Sequence, residues 1–275
     1  MQAEDYQFFQ THGYVSLGKI FTDDEAKYFL DAFDRDRANY PSYWYKFGGH
    51  QTINCDSLAS TPEFDQLIRH PEVMIPLQTL MGGLVCFSEI CIRHMAPYDG
   101  QPNQGWHRDR PHWLDHPLRM DYIQLMVYLT DVDQTTHCFS ISPEGIDQEV
   151  LGIEEQLDRT NGLDLHGPAG TAILFNVSVL HTATTRITER ERKTVQIYYG
   201  HRDRPFLSND SIMPPTLCLD HPDPEVRAFY GVLNGKTRTY LERTKAENTD
   251  ARPELSVEEM GKILYQIDIE NRKRH

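Results

Sequence analysis

Asp121-Tyr122-Ile123-Gln124-Leu125-Met126-Val127-Tyr128-Leu129-Thr130 is the stretch whose reading decides the fold. Side chains on an extended strand alternate between faces, so Tyr122, Gln124, Met126 and Tyr128 share one side and Ile123, Leu125, Val127 and Leu129 the other. One of those faces must be core. Outward from this segment, from Leu84 to about Arg204, short apolar runs are separated by Pro, Gly and acidic turns, the texture of an antiparallel all-β barrel or sandwich. Strands are predicted at 84–95, 104–109, 121–130, 137–142, 171–176, 180–185 and 193–200. The acidic stretch 144–166 reads as an excursion between strands, and Gly167-Pro168-Ala169-Gly170 as the turn that re-enters the sheet.

Helices flank this β-rich core. Residues 3–35 read as helix, strand, helix. Thr22-Asp23-Asp24-Glu25 is a capping box with Phe21 placed as a staple, and Ala26, Phe29, Leu30 and Phe33 form one apolar face. Two further helices are expected between 60 and 82, broken at His70-Pro71. From 221 to 275 the pattern returns to helix: Asp223-Pro224-Glu225 opens one, and Ser256-Val257-Glu258-Glu259 caps another whose buried stripe is Met260, Ile263, Leu264 and Ile267. The charged run Arg238 to Pro253 between them reads as a mobile surface. The chain of 275 residues suits one domain, with a helical N-terminal part (1–82), a barrel core (84–204) and a helical C-terminal part (221–275).

Charge narrows the partners. With 27 basic and 41 acidic residues the net charge is −14, which disfavours nucleic acid or an anionic membrane and favours a soluble protein. No basic patch leads into an apolar run at Met1-Gln2-Ala3-Glu4-Asp5, so no signal peptide is read, and no window reaches the length of a membrane span. The five cysteines (Cys55, Cys86, Cys91, Cys138, Cys218) are odd in number and lack Cys-x-x-Cys spacing, which argues against a disulfide framework and a structural zinc site. The expectation is a cytoplasmic protein, monomer or homodimer, in a reducing compartment.

Trp106-His107-Arg108-Asp109 carries the chemistry. His107 and Asp109, at i and i+2 on a strand, point to one face, and His181 from another strand completes a two-His-one-carboxylate facial triad that suits Fe(II) and leaves positions open. Eleven residues after His181 comes Arg192, a permanent cation whose planar fork can clamp a carboxylate on an iron-bound cosubstrate. Alternation through Lys193 to Tyr199 puts Arg192 on the polar face with Thr194, Gln196 and Tyr198, rather than in the solvated run Glu189 to Lys193.

Simpler readings compete. His-Arg-Asp-Arg-Pro occurs at 107–111 and again at 201–205, but only the first copy has a strand-borne histidine and an arginine behind it. The second reads as a strand end facing solvent or substrate. Trp106 is either packed aromatic or substrate wall. Arg108, Arg110 and Trp113, in a proline-broken loop, are either substrate contacts or plain surface. Tyr40 to Tyr45 either lines the barrel mouth or caps the core.

These residues resemble the phytanoyl-CoA dioxygenase family of Fe(II)/2-oxoglutarate oxygenases. The likeness rests on Phe9-Gln10-Thr11-His12-Gly13-Tyr14 before the capped helix, Trp106 to Asp109, Cys138-Phe139-Ser140-Ile141-Ser142-Pro143, and His181 with Arg192-Lys193. It implies a double-stranded β-helix of the jelly-roll or cupin kind, with His107, Asp109 and His181 holding Fe(II) and Arg192 binding the distal carboxylate of 2-oxoglutarate. It also points to Gln124 and His94 as cosubstrate contacts. The sequence departs from the family's pattern at Ala183, where a serine hydroxyl commonly assists; Thr182 or Thr184 would substitute, or the contact is absent. With O2, such a centre yields succinate and carbon dioxide and hydroxylates or desaturates a C–H bond, and an aspartate at 109 disfavours halogenation.

Two alternatives of other classes stand beside this: a metal-dependent hydrolase or isomerase using activated water, and a non-catalytic binding barrel. Neither needs the arginine clamp. The substrate is a small molecule of open identity; net charge favours a neutral or cationic one, while Arg108 and Arg110 would suit an acidic one.

Overall fold

The computed structural model describes residues 1–48, 50–83, 85–204, 207–245 and 252–273. Leu84, Pro205 of the second His-Arg-Asp-Arg-Pro copy, and 246–251 of the charged run lie outside the described residues. Among the described residues eleven strands run in chain order: β1 Tyr14–Lys19, β2 Tyr45–Phe47, β3 Gln51–Asn54, β4 Val85–Met95, β5 Asn103–Gln104, β6 Tyr122–Tyr128, β7 Cys138–Ile141, β8 Leu163–Leu165, β9 Thr171–Asn176, β10 His181–Thr185 and β11 Arg192–His201. They form a seven-stranded sheet, β1-β9-β6-β11-β4-β3-β2, and a four-stranded sheet, β5-β10-β7-β8. Every strand pairing is antiparallel. This is the two-sheet arrangement of a double-stranded β-helix, mainly β with flanking helices.

Strand β6 shows how the alternation is used. Ile123, Leu125 and Val127 join the main core with Phe29, Phe33 and Leu77 from the helices that cover the outer face of the large sheet. Met126 and Tyr128 join a second core with Phe139, Ile141 and Leu165 of the small sheet. Both faces are therefore buried: the polar-looking side packs against the second sheet, and Gln124 on it faces a cavity.

The helices follow their caps. Thr22 Oγ1 accepts from Glu25 N at 3.2 Å while Glu25 Oε2 accepts from Thr22 N at 2.8 Å, opening Asp23–Asn39. Helices Phe64–Ile68 and Pro71–Met81 meet at the His70-Pro71 break. The first helix, Ala3–His12, stops at Gly13, whose φ of 73° is the left-handed region and whose position leaves no room for a Cβ against Val179. Gly13 O accepts from Asn176 N at 2.9 Å, which ties this helix end to the turn before β10.

Several local expectations are corrected. The excursion 144–166 contains the helix Ile153–Thr160 and strand β8. The charged run starting at Arg238 begins inside the helix Gly235–Arg243, and the hairpin β2–β3 extends the large sheet beyond β4. Predicted strand 104–109 is only β5 followed by a single bridge at His107.

Buried Lys236, on Gly235–Arg243, donates from Nζ to Asp56 Oδ2 at 2.6 Å and lies 2.9 Å from Asp268 Oδ1, joining the C-terminal helix Val257–Arg272 to the segment after β3. Removing the cation would leave two partly buried carboxylates uncompensated. Lys236→Ala is expected to cost about 3–5 kcal/mol, read from the urea midpoint; a loss below about 1 kcal/mol would count against the network's role.

Candidate active site

Strand β10 pairs with β7 on one side, and on the other it meets β5 and then the isolated bridge between His107 and His181. That bridge is closed by both backbone bonds, His107 N to His181 O and His181 N to His107 O, each 3.0 Å, and Asp109 N continues to Val177 O at 3.0 Å. The 107–109 segment is thus held extended, so His107 and Asp109 face the same way as His181. His107 Nε2 lies 3.4 Å from Asp109 Oδ1, and His181 Nε2 lies 3.6 Å from Asp109 Oδ2. One donor atom from each of the three falls within 4.8 Å of the others.

The rings are aimed by their other nitrogens. His107 Nδ1 is 2.7 Å from Gly105 O and His181 Nδ1 2.8 Å from Val179 O, so each Nδ1–H is used by a carbonyl and each Nε2 is left free to ligate a metal. Tyr198 Oη donates to Asp109 Oδ2 at 3.3 Å. The hydrogen bond to Asp109 raises the His107 pKa, whereas burial lowers that of His181. Burial opposes ionisation of Asp109, yet its bond to His107 and the charges of both histidines hold its carboxyl below the ordinary range. Two neutral imidazoles and a carboxylate are the donor set of a facial Fe(II) triad.

A cavity of about 890 Å³ opens on this trio between the two sheets. Arg192 lies in it, on β11, with a side chain 1% exposed. Its Nη1 and Nη2 reach the sulfurs of Met95 and Met126 at 3.3 and 3.6 Å, its guanidinium carbon lies 5.4 Å from the Tyr128 ring centroid, and its Nε has no partner among the described residues. Among the described residues no carboxylate pairs with it. Burial accordingly lowers its pKa. An unpaired guanidinium in a closed site is costly, and a carboxylate entering the cavity would meet it. Gln124 shares the cavity, donating to Gln196 Oε1 at 3.1 Å.

Other predicted contacts lie elsewhere. His94 is corrected by strand parity: Glu89, Cys91 and Arg93 of β4 line the cavity, so His94 points to the opposite face, where it bonds Glu191 at 2.8 Å. Trp106 packs on Gly162 and bonds Gln104; Arg110 pairs with Asp121 at 2.9 Å; Trp113 stacks with His116 and under Arg204. None of the three lines the cavity. Ala183 faces the cavity with only a methyl, while Thr184 Oγ1 is engaged by Gln104 and Ser140. Thr182 borders the cavity, its hydroxyl bonded to Ala183 O at 3.3 Å. His201 of the second copy ends β11 beside Trp113, and Asp203 is exposed. A second group, Cys138, Asp164 and His166, is crossed by Arg186, which bonds both Cys138 and Asp164 and would repel a cation.

Glu89 was missed, although a carboxylate within the apolar strand Val85–Met95 is a signal of its own. It is 8% exposed, accepts from Ser208 Oγ, and is pushed up to about 8 by burial, reinforced by the charge of Asp210. Between about pH 4.5 and about pH 8 the folded protein keeps a proton here that the unfolded chain has released, so stability falls as pH rises through that window and is not regained above it. Unfolding free energy measured from about pH 5 to about pH 8.5 should decline less in Glu89→Gln than in wild type, by on the order of a few kcal/mol. Parallel curves would show that this carboxyl does not titrate there.

A facial trio at one end of a jelly-roll cavity, with a buried arginine able to take a carboxylate in the same space, defines the class of iron oxygenases that use a 2-oxoacid. Compared with known families, residues 9–194 match the one described as Phytanoyl-CoA dioxygenase (PhyH). A search of the curated proteins finds no match. Among solved structures the fold is similar to the non-heme alpha ketoglutarate dependent carbocyclase SnoK from nogalamycin biosynthesis, with 17% identity, TM-score 0.63, and 76% of this chain and 88% of that one covered. It is similar also to EctD from S. alaskensis with bound Fe, with 18% identity, TM-score 0.64, and 78% and 82% covered. HygX from Streptomyces hygroscopicus, with nickel, 2-oxoglutarate and hygromycin B bound, gives 18% identity, TM-score 0.58, and 73% and 87% covered. The chain belongs to the phytanoyl-CoA dioxygenase family. It is a 2-oxoglutarate-dependent oxygenase that uses Fe(II) and O2. No helix of the described residues is long and apolar enough to cross a membrane.

Proposed function

We propose that this enzyme hydroxylates, or desaturates at, an unactivated C–H bond of a small molecule, with succinate and carbon dioxide as co-products. The observation that carries the reading is Arg192, a buried cation without a carboxylate partner among the described residues, in the same cavity as His107, Asp109 and His181. The three would hold Fe(II), and Arg192 with Gln124 would hold 2-oxoglutarate. Iron and cosubstrate together supply the activation of oxygen.

The chain's own residues do the rest. The carbonyls of Gly105 and Val179 fix the imidazole tautomers, and Tyr198 steadies Asp109. Met126 and Phe139 keep the cosubstrate end apolar, which strengthens the pairing at Arg192. A hydrolase or a silent barrel would have no use for that arginine. The whole chain is read as one oxygenase unit acting in a reducing compartment such as the cytoplasm, where its five buried thiols remain free.

The test is anaerobic mixing of the full chain with Fe(II) and 2-oxoglutarate, followed by admission of O2. A visible charge-transfer absorption before oxygen and succinate after it are expected. No absorption and no succinate would overturn the proposal.

A further inference from the structure

Resting on that reading of the metal end, we infer that the outer part of the same cavity is built for a substrate carrying an oxyanion, a carboxylate or a phosphate or phosphonate, docked on Arg93 with Lys46 and Arg272 at the rim. Arg93 projects into the cavity from β4. Among the described residues its Nη1 donates to Gln51 Oε1 at 3.3 Å, its Nη2 reaches only the Cys91 sulfur at 3.8 Å, and its buried Nε has no acceptor. Its guanidinium carbon lies 5.0 Å from the Phe47 ring centroid, a cation–π contact that positions the group without neutralising it. Arg272 lies likewise 5.7 Å from the Tyr45 ring, and Lys46 is exposed beside it in sequence. Among the described residues, none of these three cations forms an ion pair.

This reverses the sign of the molecule locally, since the chain as a whole carries −14. The arginines that follow the metal trio in sequence are different: Arg108 pairs with Glu144 and Arg110 with Asp121, both at 2.9 Å. Their charge is already met. Nor do the acids of the cavity cancel Arg93. Asp109 faces the metal position, Glu89 holds its proton near neutral pH because it is buried, and Asp210 is exposed. Once 2-oxoglutarate occupies Arg192, the cationic surplus left for a second ligand lies at Arg93, Lys46 and Arg272. A C–H close to the substrate's anionic group would then face the metal.

The experiment is calorimetric titration of the full chain, loaded with Ni(II) and saturating 2-oxoglutarate, with inorganic phosphate, with acetate, and with ethylammonium as the cationic control. Phosphate or acetate is expected to bind and ethylammonium not. Arg93→Gln should weaken the anion at least about tenfold while 2-oxoglutarate affinity stays within about twofold. Arg93→Lys should fall between. Should Arg93→Gln not fold, the rim variant Lys46→Gln/Arg272→Gln carries the test, with an expected weakening of about threefold or more. Anion binding unchanged in these variants, tighter binding of ethylammonium, or a loss of 2-oxoglutarate affinity in Arg93→Gln that matches its loss of anion would overturn the inference. Failure of 2-oxoglutarate to bind wild type would instead strike the reading of the metal end.

Discussion

Asp109→Ala is expected to lower succinate formation at least about 10³-fold, equivalent to about 4 kcal/mol of lost stabilisation, at saturating Fe(II) and 2-oxoglutarate. The argument is electrostatic and geometric. Asp109 is the sole carboxylate of the trio, it sits between two imidazoles at 3.4 and 3.6 Å, and it is the group to which Tyr198 donates. Alanine would leave a dication facing two neutral rings and a tyrosine hydroxyl without its acceptor. The fold should survive, because Asp109 belongs to no core cluster and its backbone bond to Val177 O is independent of its side chain. Circular dichroism and the thermal midpoint report that part. Tyr198→Phe tests the same position more gently: it keeps all three ligands and should cost about 10- to 100-fold in metal affinity or activity. Succinate formation by Asp109→Ala within tenfold of wild type would remove the aspartate from the metal site.

Single residues show what the sequence makes legible. His107 and Asp109 could be paired because strand periodicity puts i and i+2 on one face, and Arg192 could be placed because Thr194, Gln196 and Tyr198 extend its face inward. The same parity rule would have excluded His94 had Arg93 been taken as the inward residue. A one-residue choice of face decides between a cavity wall and a contact with Glu191. For Trp106, Arg110 and Trp113, only nearness in sequence to the ligands favours a substrate contact over packing or plain surface. After Asp109, however, the chain leaves the cavity, and those side chains find Gly162, Asp121 and Arg204. Strands of three or four residues, β2, β3 and β8, are too short to show a period and are held by pairing with longer neighbours. The buried polar side of β6 was hidden for another reason: a face that looks amphipathic in sequence can pack against a second sheet, and only the tertiary arrangement reveals that partner.

Arg192→Gln should raise the 2-oxoglutarate requirement at least about thirtyfold, the lower end of the 2–5 kcal/mol by which truncating one member of a buried charge pair weakens a complex. The opposite effect is expected on the protein without ligand. Arg192 is a fully buried cation whose contacts are two thioether sulfurs and an aromatic face. Its desolvation is poorly compensated until a carboxylate arrives, so the neutral glutamine should leave the thermal midpoint of the ligand-free protein unchanged or raised. In wild type, saturating 2-oxoglutarate should stabilise the folded state in proportion to the logarithm of its concentration over Kd, and this shift should largely vanish in Arg192→Gln. The two measurements separate a binding residue from a merely structural one. A structural arginine would lower the midpoint on substitution and leave the cosubstrate requirement alone, whereas a clamp does the reverse. Arg190 is the internal control: it is exposed and paired with Asp133 at 2.6 Å, so Arg190→Gln should change neither quantity. An unchanged 2-oxoglutarate requirement in Arg192→Gln would remove this residue, and with it the strongest physical reason for a 2-oxoacid in this cavity.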